Sequence, residues 1–428
     1  MDTRTAPGNT PYALFVGIDR SDATLDTSSM PPGGTPGRPG KVATDPAALL
    51  AWVDTLRRAQ PEGQIAVCIE QPCANIASFL GQFDFIDLFL VNPVLIKNYR
   101  DSFHTARPKD DVKDAASIAR FLYERHAGLE PWRPASAELR RLRAYLEHRR
   151  LLVDGVTETT NRLTAALKLY YPQALEMAGD KLGAPLACRF LNRFPDLEAL
   201  QSTPAAELRA FYYANACRRQ KVVEKRVGAA STAVPITTDE GIIVPQRELA
   251  LFLVRQLELL RPQIARYDAL VAEIMGGHED AAIFEALPGA GPNLAARLLA
   301  TFGDDRSRFP TPESAQRLSG IAPVTRQSGK KLSVHRRYTK RTCPHFEHQT
   351  FIEWAGQTIR RSAWARAYYD RQRDKGSGHW AAVRSLAYKW IRIVHRCWTD
   401  RVPYDEAKYI AALQRSGSPV AETLKEAA

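Results

Sequence analysis

The chain has 428 residues, enough for two or three domains that each bury a core. A hydrophobic fraction of 45% and a charged fraction of 25% are those of a soluble globular protein, and no run approaches the ~18 apolar residues of a membrane span. Charge is the unusual quantity. The 59 Lys and Arg against 47 Asp and Glu leave a net +12, which points to a polyanion, nucleic acid first, with a merely basic enzyme as the alternative that charge alone leaves open.

Cys68, Cys73, Cys188, Cys217, Cys343 and Cys397 are scattered without a CxxC pair, which argues against a disulfide framework or a zinc knuckle. Cys343, His345 and His348 lie close together, but no second ligand pair follows at zinc spacing. The N-terminus "MDTRTAPGNTPYALFVGID" has no basic region followed by an apolar stretch and a cleavage site. The expectation is a cytoplasmic protein, associated with the nucleoid if its partner is DNA.

"YALFVGID" (12–19) is a short apolar run that reads as a buried strand, and "SSMPPGGTPGRPGK" (28–41) as a mobile loop between two strands. "DPAALLAWVDTLRRA" (45–59) has helical periodicity, with Asp45 as N-cap and Pro46 at the first position. "QIAVCIEQ" (64–71) is a second buried strand ending in Glu70, residues 74 to 82 are helical, and "DLFLVNP" (87–93) is a third strand. "ARPKDDVKDAASIARFL" (106–122) then opens an amphipathic helix with Asp110, Asp111 and Asp114 at its mouth. Strands alternating with helices predict an α/β domain over 10–130.

From 135 to 275 long charged helices are expected, with 136–170 coiled-coil-like and 245–275 its antiparallel partner, interrupted or kinked before Pro262. Residues 180 to 240 read as short helices and loops. A third, mainly helical domain is placed at 280–402, followed by a tail at 403–428. It opens with "FEALPGAGPNLAARLLATFGD" (284–304), a helix–hairpin–helix form. There Gly289 and Gly291 would let the turn approach a phosphate, and an ordinary helix–helix turn is an equal reading. From Arg326 to Arg341 the chain carries Arg326, Lys330, Lys331, Arg336, Arg337, Lys340 and Arg341 with no acid between them, a candidate nucleic-acid-binding run. Tryptophans at helical spacing in 350–398 are read mostly as core.

One or two of the three aspartates are explained by the positive end of the helix dipole. The third raises a different possibility. Asp19 and Glu70 end predicted strands, where ligands gather in α/β sheets, and Asp111 and Asp114 are spaced i, i+3 on one helix. Four converging carboxylates repel one another unless a divalent cation neutralises them. Mg²⁺ (or Mn²⁺) takes such hard oxygen ligands and serves phosphoryl transfer, in two-metal sites as a pair about 4 Å apart.

"GIDRSDATLD", "CIEQP", "FLVNP" and "KDDVKDAASIARFL" together resemble the RuvC-like (RNase H-like) DEDD domain of the IS-one-ten family of insertion-sequence transposases, to which Piv-type DNA invertases are similar. "LPGAGPNLAARLLATFGD" and "FPTPESAQRLSGIAPVTRQSGKK" resemble that family's second domain. The resemblance maps the acidic tetrad onto Asp19, Glu70, Asp111 and Asp114, and leaves Asp110 a cap or supporting role. It departs at Gln71-Pro72-Cys73, where the family has Ala-Thr-Gly. It further implies a nucleophilic serine, Ser328, flanked by Arg326, Lys330 and Lys331. The implied activity is cutting and exchange of DNA strands through a phosphoserine link, by a site composed of acidic domain and serine loop. The implied partners are donor and target DNA, a structured guide RNA that bridges them, and further copies of the chain, from dimer to tetramer. Two other classes are weighed against this: a metal-dependent junction nuclease that uses water, and a non-catalytic nucleic-acid-binding protein.

Overall fold

The computed structural model describes residues 11–35, 37, 39–70, 74–102, 111–179, 181–328, 331–335 and 344–426, with the side chains of 74, 111–113, 324–328, 331–335, 423 and 425–426 outside the description. The chain divides into two compact units, Met1–Ala135 and Ser136–Ala428.

The first unit is built on one mixed sheet. Strands β1 (Tyr12–Arg20), β2 (Thr24–Met30) and β3 (Gly40–Ala43) form an antiparallel meander, and β4 (Gln64–Glu70) and β5 (Ile86–Val91) add to β1 in parallel, in the order β3-β2-β1-β4-β5. β1 and β4 read as near-continuous apolar runs because helices cover both faces of the sheet. Helices α1 (Pro46–Ala59) and α2 (Ala74–Leu80) cover one face, over Leu14, Val16, Ile18, Ile65, Val67 and Ile69. Helices α3 (Pro93–Asp101) and α4 (Asp111–Arg125) cover the other, over Phe15, Ala66, Cys68 and Phe89. α1 starts where expected: the Asp45 carboxylate accepts the Ala48 N–H at 3.0 Å and Pro46 takes the first position.

Two expectations change here. Residues 28–30 belong to β2 and 40–41 to β3, so the expected loop is shorter than 28–41. "TLDTSSM" shows no apolar run, yet its small hydroxyl side chains fit the pleat while β1 and β3 satisfy its backbone on both edges. α3 was not anticipated, although Asn92 caps it by accepting the Val94 N–H at 2.9 Å and Pro93 follows, the same signature that marks α1.

The second unit is helical. α5 (Ala137–Tyr170) runs antiparallel to the later long helix, Glu240–Gly277, and five short helices intervene: α6 (Ala174–Met177), α7 (Pro185–Arg193), α8 (Leu197–Gln201), α9 (Ala205–Ala214) and α10 (Gln220–Thr232). The long helix is α11. Its direction follows from Tyr145 meeting Tyr267 at 5.9 Å between ring centroids, while Gly155 faces Leu260. α11 is one continuous helix through Pro245 and Pro262, so it is not interrupted before Pro262. Each proline removes one backbone hydrogen bond, a loss of about 3 kcal/mol in an isolated helix, and burial of Ala250, Leu253, Val254, Leu257, Val271 and Ile274 opposes it.

The chain continues as α12 (Ala281–Glu285), α13 (Gly291–Phe302), α14 (Pro312–Leu318), the hairpin β6 (Val324–Ser328) and β7 (Lys331–His335), α15 (His345–Thr358), α16 (Ala363–Asp374), α17 (His379–Asp400), α18 (Glu406–Arg415) and α19 (Pro419–Glu426). Trp354, Trp364, Trp390 and Trp398 are fully buried, as their helical spacing implies, whereas Trp380 is 67% exposed. The segment set apart as a tail is folded. The Tyr404 hydroxyl accepts the Trp364 indole N–H at 2.7 Å, and Tyr409 packs on the same ring, so aromatic burial ties 403–426 to α16.

Candidate functional site

The acidic site begins with the two-residue period of the sheet. Ala66 and Cys68 face α4, so Glu70, two residues on and last in β4, belongs to that face; on β1 the same alternation from Phe15 through Gly17 leads to Asp19. β1 and β4 run parallel, with Ile18 opposite Ile69, so Asp19 and Glu70 each follow the last paired residues of neighbouring strands. A strand pair and its register therefore deliver two carboxylates to one place.

α4 brings the third. A Cβ at Gly17 would stand 2.2 Å from the Ala119 nitrogen and 2.3 Å from the Ala115 oxygen, so the helix backbone lies directly on the strand at this glycine. Asp114 immediately precedes Ala115, and the close approach sets it beside the strand ends. Asp111 opens α4 three residues earlier, with its side chain outside the description; Asp110 lies outside the described residues altogether, as do Gln71, Pro72 and Cys73.

The carboxylates act on one another. Burial, and then the negative charges of Asp19 and Asp114, push the Glu70 carboxyl above its ordinary range, while the Arg100 guanidinium opposes the rise. Arg100, from α3, is ion-paired with Asp114. Burial works against its charge, but the bond to Asp114 and the fields of Glu70 and Asp19 hold it more firmly protonated than usual. Among the described residues no three of His, Cys, Asp and Glu converge closely enough to hold a metal ion. The donor chemistry nonetheless fits one: every candidate ligand is a carboxylate oxygen, and Glu70 is raised by burial first and then by the repulsion of Asp19 and Asp114, which a hard divalent cation would relieve. Sequence reasoning missed Arg100, Gly17 and Asp26, which is cross-strand from Asp19 with Lys41 at 4.0 Å. Only the Asn-Pro start of α3 could have hinted at the first.

In the second unit Ser328 ends β6, opposite Lys331, and Arg326 pairs with Ser333. The serine thus stands at the closed end of a hairpin, where an irregular basic loop was expected. Lys330, Arg336, Arg337, Lys340 and Arg341 lie outside the described residues. Gly289 and Gly291 have φ of 71° and 55°, so the turn between α12 and α13 needs glycine for its backbone. A Cβ at Gly289 would come within 3.1 Å of the Gln357 backbone, and the Trp354 indole donates to the Pro288 carbonyl at 3.0 Å. The turn is therefore seated on α15, which gives Gly289 a packing role; Gly291 has open space around it. His348, considered beside Cys343 for a metal, faces the Ser319 carbonyl at 3.0 Å, and burial lowers its pKa.

Comparison with known families matches residues 16–172 to a model described as a transposase, the DEDD type of IS110, and residues 281–370 to the transposase model of the IS116/IS110/IS902 family. Individual relatives align over most of their own length. The protein assigned as transposase of the IS117 mini-circle of Streptomyces coelicolor is 28% identical over 95% of this chain and 98% of the relative. The 42 kDa protein of insertion element IS900 from Mycobacterium paratuberculosis is 28% identical over 87% and 92%, and the 43.6 kDa protein of insertion element IS110 from Streptomyces coelicolor is 25% identical over 92% and 95%.

Proposed function

Because the chain belongs to the IS110 family of insertion-element transposases, we propose that it cuts and rejoins DNA strands through a phosphoserine intermediate at Ser328, assisted by the carboxylates of Asp19, Glu70, Asp111 and Asp114. The observation that carries the reading is that Asp19 and Asp114 lie near enough to Glu70 for their charges to act on it, at the strand ends of a domain matched to DEDD transposases. On this reading the mixed sheet of the first unit is RuvC-like. The carboxylates would hold Mg²⁺ (or Mn²⁺), which when bound supplies Lewis acidity to a phosphodiester.

In the proposed reaction the Ser328 hydroxyl oxygen forms a bond to phosphorus as the bridging P–O bond of the strand breaks. The serine proton is passed on to the departing oxygen, so the cleaved strand leaves as a hydroxyl. The hydroxyl of the exchanged strand then displaces serine, restoring both the phosphodiester and the side chain. Arg326, Lys330 and Lys331 hold the phosphate, and Arg336, Arg337, Lys340 and Arg341 hold the flanking backbone. Gly291, with open space around it, and Gly289 supply a further approach to phosphate. On this reading the partners are donor and target DNA and a structured guide RNA that bridges them, and the +12 charge suits polyanionic partners.

Four strand cleavages with one serine per chain call for about four chains at the synapse. Leu151 on α5 and Leu249, Phe252 and Leu259 on α11 are exposed, which supports these helices as the contact between copies. Light scattering that shows a strict monomer even with DNA and RNA bound would remove that part of the reading.

Trapping on a nicked DNA substrate tests the chemistry. Wild type should give a covalent protein–DNA band on a denaturing gel, and Ser328→Ala should give neither the band nor strand exchange while still binding DNA. Nicking that persists in Ser328→Ala, and is lost only in the carboxylate variants, would establish the water-using nuclease instead. No cleavage by any form, with binding intact, would establish the non-catalytic reading.

A further inference from the structure

Arg100 belongs to no part of the acidic motif, yet it is the positive charge that Asp114, Glu70 and Asp19 all feel. It reaches them from α3, whose start is fixed by the Asn92 cap and Pro93 and whose Ile96 is fully buried against the sheet. The side chain is thus presented by a helix anchored at its first turn. Both partners of the Arg100–Asp114 pair keep a quarter or more of their surface open, at 29% and 25%, so the pair can exchange with ions from solvent.

We propose that Arg100 is a resident counter-cation of the carboxylate site, which neutralises Asp114 and screens Asp19 and Glu70 until a divalent ion displaces it. The proposal rests on the reading of these carboxylates as a metal site. A guanidinium carries one positive charge in a planar fork that matches a single carboxylate. A divalent cation carries two and gathers several oxygens at once, so it competes with Arg100 for the Asp114 oxygen that the guanidinium holds. Arg100 is a positioning residue in this role: it keeps repelling carboxylates assembled at the strand ends, and its own attraction for Asp114 is subtracted from the affinity for the ion. The site then loads at higher ion concentration than its carboxylates alone would require, because each binding event must first open an ion pair.

The test uses the full chain as wild type, Arg100→Gln and Arg100→Lys, with Mn²⁺ as probe in electron paramagnetic resonance titrations and melting followed with and without the ion. Arg100→Gln should bind Mn²⁺ about fivefold more tightly than wild type. It should also melt lower than wild type in chelator and show the larger rise on adding Mn²⁺. Arg100→Lys keeps the charge and should stay near wild type in both measurements. Weaker binding in Arg100→Gln would overturn the proposal by making Arg100 a support for the ligands, and equal binding would overturn it by showing no competition. Absence of Mn²⁺ binding in wild type and both variants would instead fail the metal reading itself, and the proposal with it.

Discussion

The carboxylate site and the serine hairpin are built by opposite means. Asp19, Glu70 and Asp114 come from three separated elements and are brought within electrostatic reach of one another by strand register and one close helix–strand contact. Ser328, Arg326 and Lys331 sit within six residues on one hairpin, so local pairing alone sets their order. A site assembled from distant segments fails when the packing beneath it fails. A local site fails only when its own residues change.

The largest effects should come from the chemical groups in both regions. Replacing Asp19, Glu70, Asp111 or Asp114 singly by Asn or Gln, or Ser328 by Ala, should lower strand exchange at least about a thousandfold with the melting temperature little changed. Asp110→Asn should be much milder. An essential Asp110 beside a dispensable Asp111, in the same exchange assay, would shift the motif by one residue.

Next in size is a substitution that touches no reacting group. Gly17→Val should push α4 off β1, destabilise the first unit by about 3 kcal/mol and remove exchange, because Asp114 moves with the helix. Denaturant melts followed separately in each unit would register the loss in the first alone. Full activity in Gly17→Val would mean that the carboxylates do not depend on that contact, and the contrast between the two regions would dissolve.

A graded effect is expected from the basic run. Neutralising Arg336, Arg337, Lys340 and Arg341 together should lower the slope of log affinity against log salt by roughly 3 to 4, at about 0.9 per phosphate contact. Fluorescence anisotropy over a salt series measures it, and an unchanged slope would place these residues away from nucleic acid.

The smallest effect is a pH dependence confined to the first unit. The Glu70 carboxyl is held above its ordinary 4.5, by burial first and the charges of Asp19 and Asp114 next. In metal-free protein the folded state therefore keeps a proton that the unfolded state has lost. This group's stabilisation is present below pH 4.5 and declines as pH rises through the raised value. Melting temperatures across that window should fall less steeply in Glu70→Gln than in wild type.

Much of this was legible in the residues. The apolar runs of β1 and β4, the Asp-Pro start of α1 and the long periodic stretches of α5 and α11 are local signals, and each element forms where its signal lies. The exceptions share a cause. β2 is a strand because two neighbours pair with it, and α11 survives its prolines because a packed face holds it. In both, tertiary contacts override a weak or contrary local preference.

The sequence by itself singled out the candidates for the chemistry: four acids at strand ends and a helix start, and a serine among lysines and arginines. Residue type and spacing fix charge and the face of an element, which picks out the acids, whereas Ser328 stands out only through the family resemblance. Only the tertiary structure decided that Arg100 stands among the acids and that Gly17 sets their separation. Neither residue belongs to the acidic set, and each acquires its role from what the folded chain lays against it.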